Sequence, residues 1–237
     1  MRLSAPIYRL KRQAKRFARH QNIPLHQALD RIAVGEGFRS WSHLASAAAT
    51  TRPARTLLDT LSPGDLLLVG ARPGHGKTLL GLEMALAAPT IGRHATVFTL
   101  NDNEADVRAR LAALAPQGTA QRDAITIDTS DDICAAHIMA RLSAAAGPSL
   151  AVVDYLQLLD QKRSHPDLSN QIKSLKSYAE AQGSILVMIS QIDRAFERTK
   201  KRIPDLGDVR LPNPIDLSVF HKTCFLHDGA MEIHGVA

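Results

Sequence analysis

Lys77 and Thr78 close the run Gly70-Ala71-Arg72-Pro73-Gly74-His75-Gly76-Lys77-Thr78-Leu79, and that combination of residue types can hold a triphosphate. Gly74 and Gly76 permit the backbone to bend until successive N–H groups face one point, and a helix beginning near Lys77 adds the positive end of its dipole. In such a loop the lysine reaches the β/γ-phosphates and the threonine hydroxyl meets Mg²⁺, so residues 72–79 (Arg72, Pro73, Gly74, His75, Gly76, Lys77, Thr78 and Leu79) form the expected ATP-binding set. The strict pattern has Gly where Ala71 stands, at the strand end. A second element is Leu150-Ala151-Val152-Val153-Asp154, an apolar strand delivering one carboxylate. Downstream of a phosphate loop, Asp154 is expected beside Thr78 as the second Mg²⁺ ligand. A third strand, Ile185 to Ser190, delivers Gln191, placed to sense the γ-phosphate.

These residues need a scaffold that brings strand ends together. Apolar runs at 65–70, 95–100, 124–128, 149–155 and 184–190 alternate with helical patterns at 77–88, 103–115, 131–145 and 167–181. That order predicts an α/β fold, a mostly parallel central sheet flanked by helices. The segments 216–226 and 230–236 read as closing strands at a sheet edge.

The first fifty residues read separately, as a small basic helical module. Ile7, Leu10, Ala14 and Phe17 share one helical face while Lys11, Lys15 and Arg19 lie on the other. Pro24 suits a helix start, Leu25, Leu29, Ile32 and Ala33 give a second stripe, and Ser40 can cap a third helix carrying Trp41 and Leu44. Residues 51–56 read as a linker, and 57–237 as the nucleotide-binding domain. Residues 1–55 hold eleven Lys/Arg against Asp30 and Glu36, a charge of +9, which leaves −3 for the rest of a chain whose net charge is +6. The asymmetry points to nucleic acid as partner, through Lys11, Lys15 and Arg19, or else to a solvated basic face.

At 237 residues the chain accommodates one sizeable α/β core with a small appendage. No apolar run approaches the ~20 residues of a membrane span, and Met1-Arg2-Leu3 leads into a charged amphipathic segment, so the expectation is a cytoplasmic protein without a membrane partner. Cys134 and Cys224 read as core thiols, and the ten histidines show no ligand spacing.

The runs Ala71 to Thr78, Val153-Asp154-Tyr155-Leu156-Gln157-Leu158, Ser174-Leu175-Lys176, Ser190-Gln191-Ile192-Asp193-Arg194 and Arg202 to Arg210 resemble, in order, the motifs of the RecA-like motor domain of DnaB-type replicative helicases. The resemblance covers roughly residues 57–228. It implies a RecA-like P-loop NTPase fold, ATP with Mg²⁺, a homo-oligomeric ring of six, single-stranded or duplex DNA as partner, and replication proteins as associates. Lys162, Arg163, Arg194, Arg198, Lys200, Lys201 and Arg202 then face DNA phosphates, or else are solvated loop charge.

Three departures from the family stand out. Its Ser/Thr-Leu-Glu motif, whose Glu orients the attacking water, is Thr99-Leu100-Asn101 here, leaving Asp102 or Glu104 as substitutes. The family continues to a basic tip bearing an arginine finger, whereas this sequence ends at Ala237, and the family's N-terminal collar is replaced by the basic module. Two functions follow as expectations: a DNA motor driven by ATP hydrolysis with Lys77, Asp154, Gln191 and Asp102 or Glu104 as catalytic residues, or a turnover-deficient nucleotide switch. A small-molecule kinase ranks third, since no lid or acceptor pocket is legible.

Overall fold

The computed structural model describes residues 4–5, 7–50, 53–115, 120–160, 162, 164–211, 213 and 215–236. The chain divides into two compact units, Met1–Pro53 and Ala54–Ala237.

In the smaller unit, α1 (Ile7–Gln21), α2 (Leu25–Gly35) and α3 (Trp41–Thr50) form the three expected helices. Leu10, Ala33 and Leu44 pack together with Phe38 and Trp41, and Ala14, Ala18 and Ala28 make a second small cluster. Small alanines at the contact let α1 and α2 approach closely, so the basic positions of α1 are left exposed. Ser40 caps α3 by accepting the His43 N–H at 3.2 Å, and the Asp30 carboxylate accepts the Trp41 N–H at 2.8 Å.

The larger unit opens within a short helix, α4 (Pro53–Leu58), where the sequence pattern predicts a linker over 51–56, of which residues 51 and 52 lie outside the described residues. Ala54, Leu57 and Leu58 explain the difference, because their burial in the main core pulls this stretch into a helix. There follow β1 (Leu66–Ala71), α5 (Lys77–Ala87), β2 (His94–Thr99), α6 (Glu104–Leu114), α7 (Ala120–Asp123), β3 (Thr126–Asp128), α8 (Ala135–Ser143), β4 (Ser149–Asp154), α9 (Leu168–Gln182), β5 (Ile185–Gln191), β6 (Lys222–His227) and β7 (Ala230–Gly235). They build a seven-stranded sheet of order β3-β2-β4-β5-β1-β6-β7, parallel except for the final β6–β7 hairpin.

Both faces of the sheet are covered, which is why its central strands are unbroken apolar runs. Alternation sends Leu67, Val69, Val152, Val187 and Ile189 into the core shared with α5 and α6. Leu66, Leu68, Val153, Leu186 and Met188 go into the opposite core with α8 and α9. Gly81 of α5 sits so close to the sheet that a Cβ there would lie 2.8 Å from Ile189 Cδ1 and 2.9 Å from Val152 Cγ1.

Two boundaries differ from the sequence pattern by four residues or more. Helix α8 is shorter than 131–145, because the Asp128 carboxylate accepts the Ser130 N–H at 3.0 Å and holds the preceding segment in a turn. Gln171 Oε1 of α9 then accepts the Ala135 N–H at 2.9 Å and starts the helix there. The strand expected over 216–226 begins only at Lys222, since Asp216 accepts the Ser218 N–H at 2.9 Å and folds Leu217–Val219 into a 3-10 turn. Cys224 is a core thiol, its pKa pushed up to about 12 by burial, whereas Cys134 is only half-buried just before α8. No helix among the described residues is long and apolar enough to cross a membrane.

Candidate nucleotide-binding site

Parallel register brings the chemistry to one edge. Asp154 at the end of β4 stands opposite Thr99 of β2 and Ile189 of β5, and Ala71 of β1 stands opposite Gln191. In open α/β sheets ligands bind outside these carboxyl ends.

The loop from β1 to α5 supplies the cradle. Gly74 and Gly76 adopt φ of +82° and +92°, the left-handed region that side chains resist, and ideal Cβ atoms at either position would meet nothing within 4 Å. It is the backbone conformation, not crowding, that calls for glycine at both positions. Gly76 precedes α5 directly, so the N–H groups of Lys77, Thr78 and Leu79 belong to the first helical turn, where no intrahelical acceptor exists.

Thr78 Oγ1 donates to Asp154 Oδ2 at 2.7 Å, joining the loop to β4. Asp154 is only 5% exposed. Burial raises its pKa above the ordinary carboxylate value, while the Thr78 hydrogen bond and the nearby Lys77 ammonium pull it back down. Lys77 has its pKa lowered by burial, opposed by Asp154 and reinforced by the Arg72 charge. A buried carboxylate next to a hydroxyl is a donor set suited to a hard cation such as Mg²⁺.

Asp102 completes the cluster. It lines a cleft of about 10 Å³ with Thr78, Thr99 and Asp154, roughly the space of one water. Arg110, two turns along α6, grips both Asp102 oxygens at 2.7 Å. Glu104, by contrast, turns outward to pair with Arg108 at 2.7 Å. Asn101 is exposed, and its backbone N–H donates to Thr99 Oγ1 at 3.2 Å. Of the two acidic substitutes, only Asp102 meets Asp154.

Arg72, expected among the nucleotide contacts, is engaged elsewhere. Its guanidinium donates to Glu197 Oε1 at 2.8 Å and to the Ile192 carbonyl at 2.9 Å, tying the phosphate loop to the 3-10 turn Arg194–Arg198. Gln191 is half-buried at the end of β5, and its carbonyl accepts the Arg210 N–H at 2.8 Å.

The basic loop residues are dispersed in their pairing. Lys162 is paired with Asp132, Lys201 bridges Asp205 at 2.8 Å and Asp208 at 2.9 Å, and Arg163 lies outside the described residues. Arg194, Arg198, Lys200 and Arg202 are exposed, as are Lys11, Lys15 and Arg19 in the smaller unit. Sequence reasoning passes over Arg110, Glu197, His227 and Asp228. No local pattern marks them, because their partners lie on other elements.

Residues 114–217 match the family described as the DnaB-like helicase C terminal domain. The replicative DNA helicase DnaB of Leifsonia xyli subsp. xyli is 28% identical, the match covering 82% of this chain and 50% of that protein. The DnaB of Geobacillus stearothermophilus is 26% identical over 68% of this chain and 43% of its own length. The chain thus spans half or less of these curated relatives. Among solved structures, one determined as an ATPase domain superposes with a TM-score of 0.56 at 19% identity, covering 71% of this chain and 72% of that one. A DnaB-like replicative helicase, described with its interactions with primase, gives 0.57 at 17%, covering 92% and 64%. A KaiC-like protein, PH0186 of Pyrococcus horikoshii, gives 0.51 at 16%, covering 68% and 70%. The fold is RecA-like.

Proposed function

We propose that this protein is a cytoplasmic ATP-driven motor acting on DNA in replication or recombination, working as a homo-oligomeric ring, a reading supported by the match of residues 114–217 to the DnaB-like helicase C terminal domain. The observation that carries the reading is the pairing of Thr78 with Asp154 at the mouth of a glycine-built phosphate loop, with Asp102 alongside. Thr78 and Asp154 hold Mg²⁺, which when bound neutralises charge developing on the phosphate oxygens. Lys77 contacts the β/γ-phosphates, and the first-turn N–H groups of α5 take the remaining oxygens. Asp102 takes a proton from the attacking water as general base, which the neutral amide of Asn101 cannot do. Arg110 fixes the Asp102 carboxylate in orientation. Gln191, at the end of the strand beside the loop, senses the γ-phosphate. Since the matched relatives are named as helicases, active turnover is preferred over a turnover-deficient switch. Replication proteins are the natural associates of such a motor.

The test is ATP turnover with Mg²⁺, with and without single-stranded DNA. The wild-type protein should hydrolyse ATP, faster with DNA, and Asp102→Asn should lower the rate by ~10²–10⁴-fold while Glu104→Gln stays near wild type. A chain that binds ATP but turns it over in no condition sinks the motor reading.

A further inference from the structure

The parallel pairing of β6 with β1 sets Leu226 opposite Ala71, so the residues just past both strand ends meet. On the β1 side His75 rises from the crown of the phosphate loop. On the β6 side are His227 and Asp228, the latter in a turn at φ +45°. One ligand atom from each of His75, His227 and Asp228 lies within 4.8 Å of the others. His75 Nδ1 is 3.7 Å from Asp228 Oδ1, and His227 Nε2 is 3.8 Å from Asp228 Oδ2. The two imidazoles are stacked, centroids 4.6 Å apart at 12°.

From this geometry we propose that His75, His227 and Asp228 form a binding site for a divalent transition metal of the zinc class, separate from the Thr78–Asp154 pair. Ligand atoms around a tetrahedral ion with bonds of about 2.0–2.2 Å are spaced about 3.3–3.5 Å apart. The two histidine–carboxylate pairs are a few tenths of an ångström wider than that, and the set as a whole, within 4.8 Å, contracts further when an ion binds. Two imidazoles and one carboxylate select Zn²⁺, Co²⁺ or Ni²⁺ over Mg²⁺, which prefers oxygen alone. The Nδ1 of His227 is buried without a partner among the described residues, and the ring rests on His75 and edge-on against Phe196 at 4.9 Å. At His75, coordination through Nδ1 exchanges the 3.0 Å hydrogen bond from the Asp228 N–H for a metal bond. Three protein ligands leave a fourth position open to water. An ion there ties the crown of the phosphate loop to the β6–β7 turn.

The experiment titrates the metal-free full chain with Co²⁺, followed by visible absorption, and with Zn²⁺, followed by calorimetry. One equivalent should bind with the intense bands of tetrahedral Co²⁺. His227→Ala and Asp228→Asn should each weaken binding at least about tenfold, since loss of outer partners alone costs 10–100-fold. Asn tolerates the positive φ at 228, so the second variant keeps the turn and remains informative if His227→Ala fails to fold. Asp154→Asn should bind Co²⁺ as wild type does. Absence of binding below millimolar metal overturns the site. So does an affinity unchanged in a folded Asp228→Asn, or one abolished in Asp154→Asn.

Discussion

Thr78→Val isolates the hydrogen bond on which the site turns. Valine fills the threonine volume, so no cavity opens, but Asp154 loses the donor 2.7 Å away while staying 5% exposed. A hydrogen bond to a charged group contributes about 1.5–3 kcal/mol, and Lys77 remains near enough to compensate part of the buried charge, so the expected loss is about 2 kcal/mol. For a domain of this size that lowers the melting temperature by roughly 4–8 °C. The deficit should depend on pH with a definite sign. The folded pKa of Asp154 lies above its unfolded value, so its ionised form costs stability above pH 3.8, and that cost fades as pH falls through the folded pKa. Without the Thr78 donor the folded value rises further. The gap between variant and wild type should therefore narrow on acidification from neutrality toward pH 4. Far-UV circular dichroism in buffer free of Mg²⁺ and nucleotide measures it. The single tryptophan, Trp41, reports the smaller unit and not this one. A variant melting within about 1 °C of wild type at pH 7, or a gap that persists unchanged at low pH, refutes the argument.

Lys77→Ala should abolish binding of a fluorescent ATP analogue in a chain that remains folded by far-UV circular dichroism; retained affinity would contradict the phosphate-loop assignment. Gly81→Ala places a methyl within 2.9 Å of Val152 and Ile189, and a thermal melt should register the ~1–3 kcal/mol of overpacking between α5 and the sheet. Replacing Lys11, Lys15 and Arg19 together by Gln should flatten the slope of log affinity for single-stranded DNA against log salt by about 0.7 for each phosphate no longer neutralised. An unaltered slope assigns that face of α1 to solvent.

The phosphate loop, the Asp154 strand and the α/β alternation are legible in the sequence because each is a local pattern. Glycine spacing dictates loop geometry, and an unbroken apolar run followed by one carboxylate fits a strand buried on both faces. The same locality explains the differences at 53–56, 131–145 and 216–226. There the decision comes from burial of Ala54 and Leu57, from Gln171 reaching across to Ala135, and from the Asp216 turn, none of which a periodic pattern contains. Between Asp102 and Glu104 the sequence offers no choice; the direction of α6 and the grip of Arg110 turn one toward Asp154 and leave the other in solvent. The histidines are the extreme case. His75 and His227 are separated by most of the larger unit, and they stack only because parallel pairing of β6 on β1 brings two strand ends level, a long-range register that spacing along the chain cannot encode.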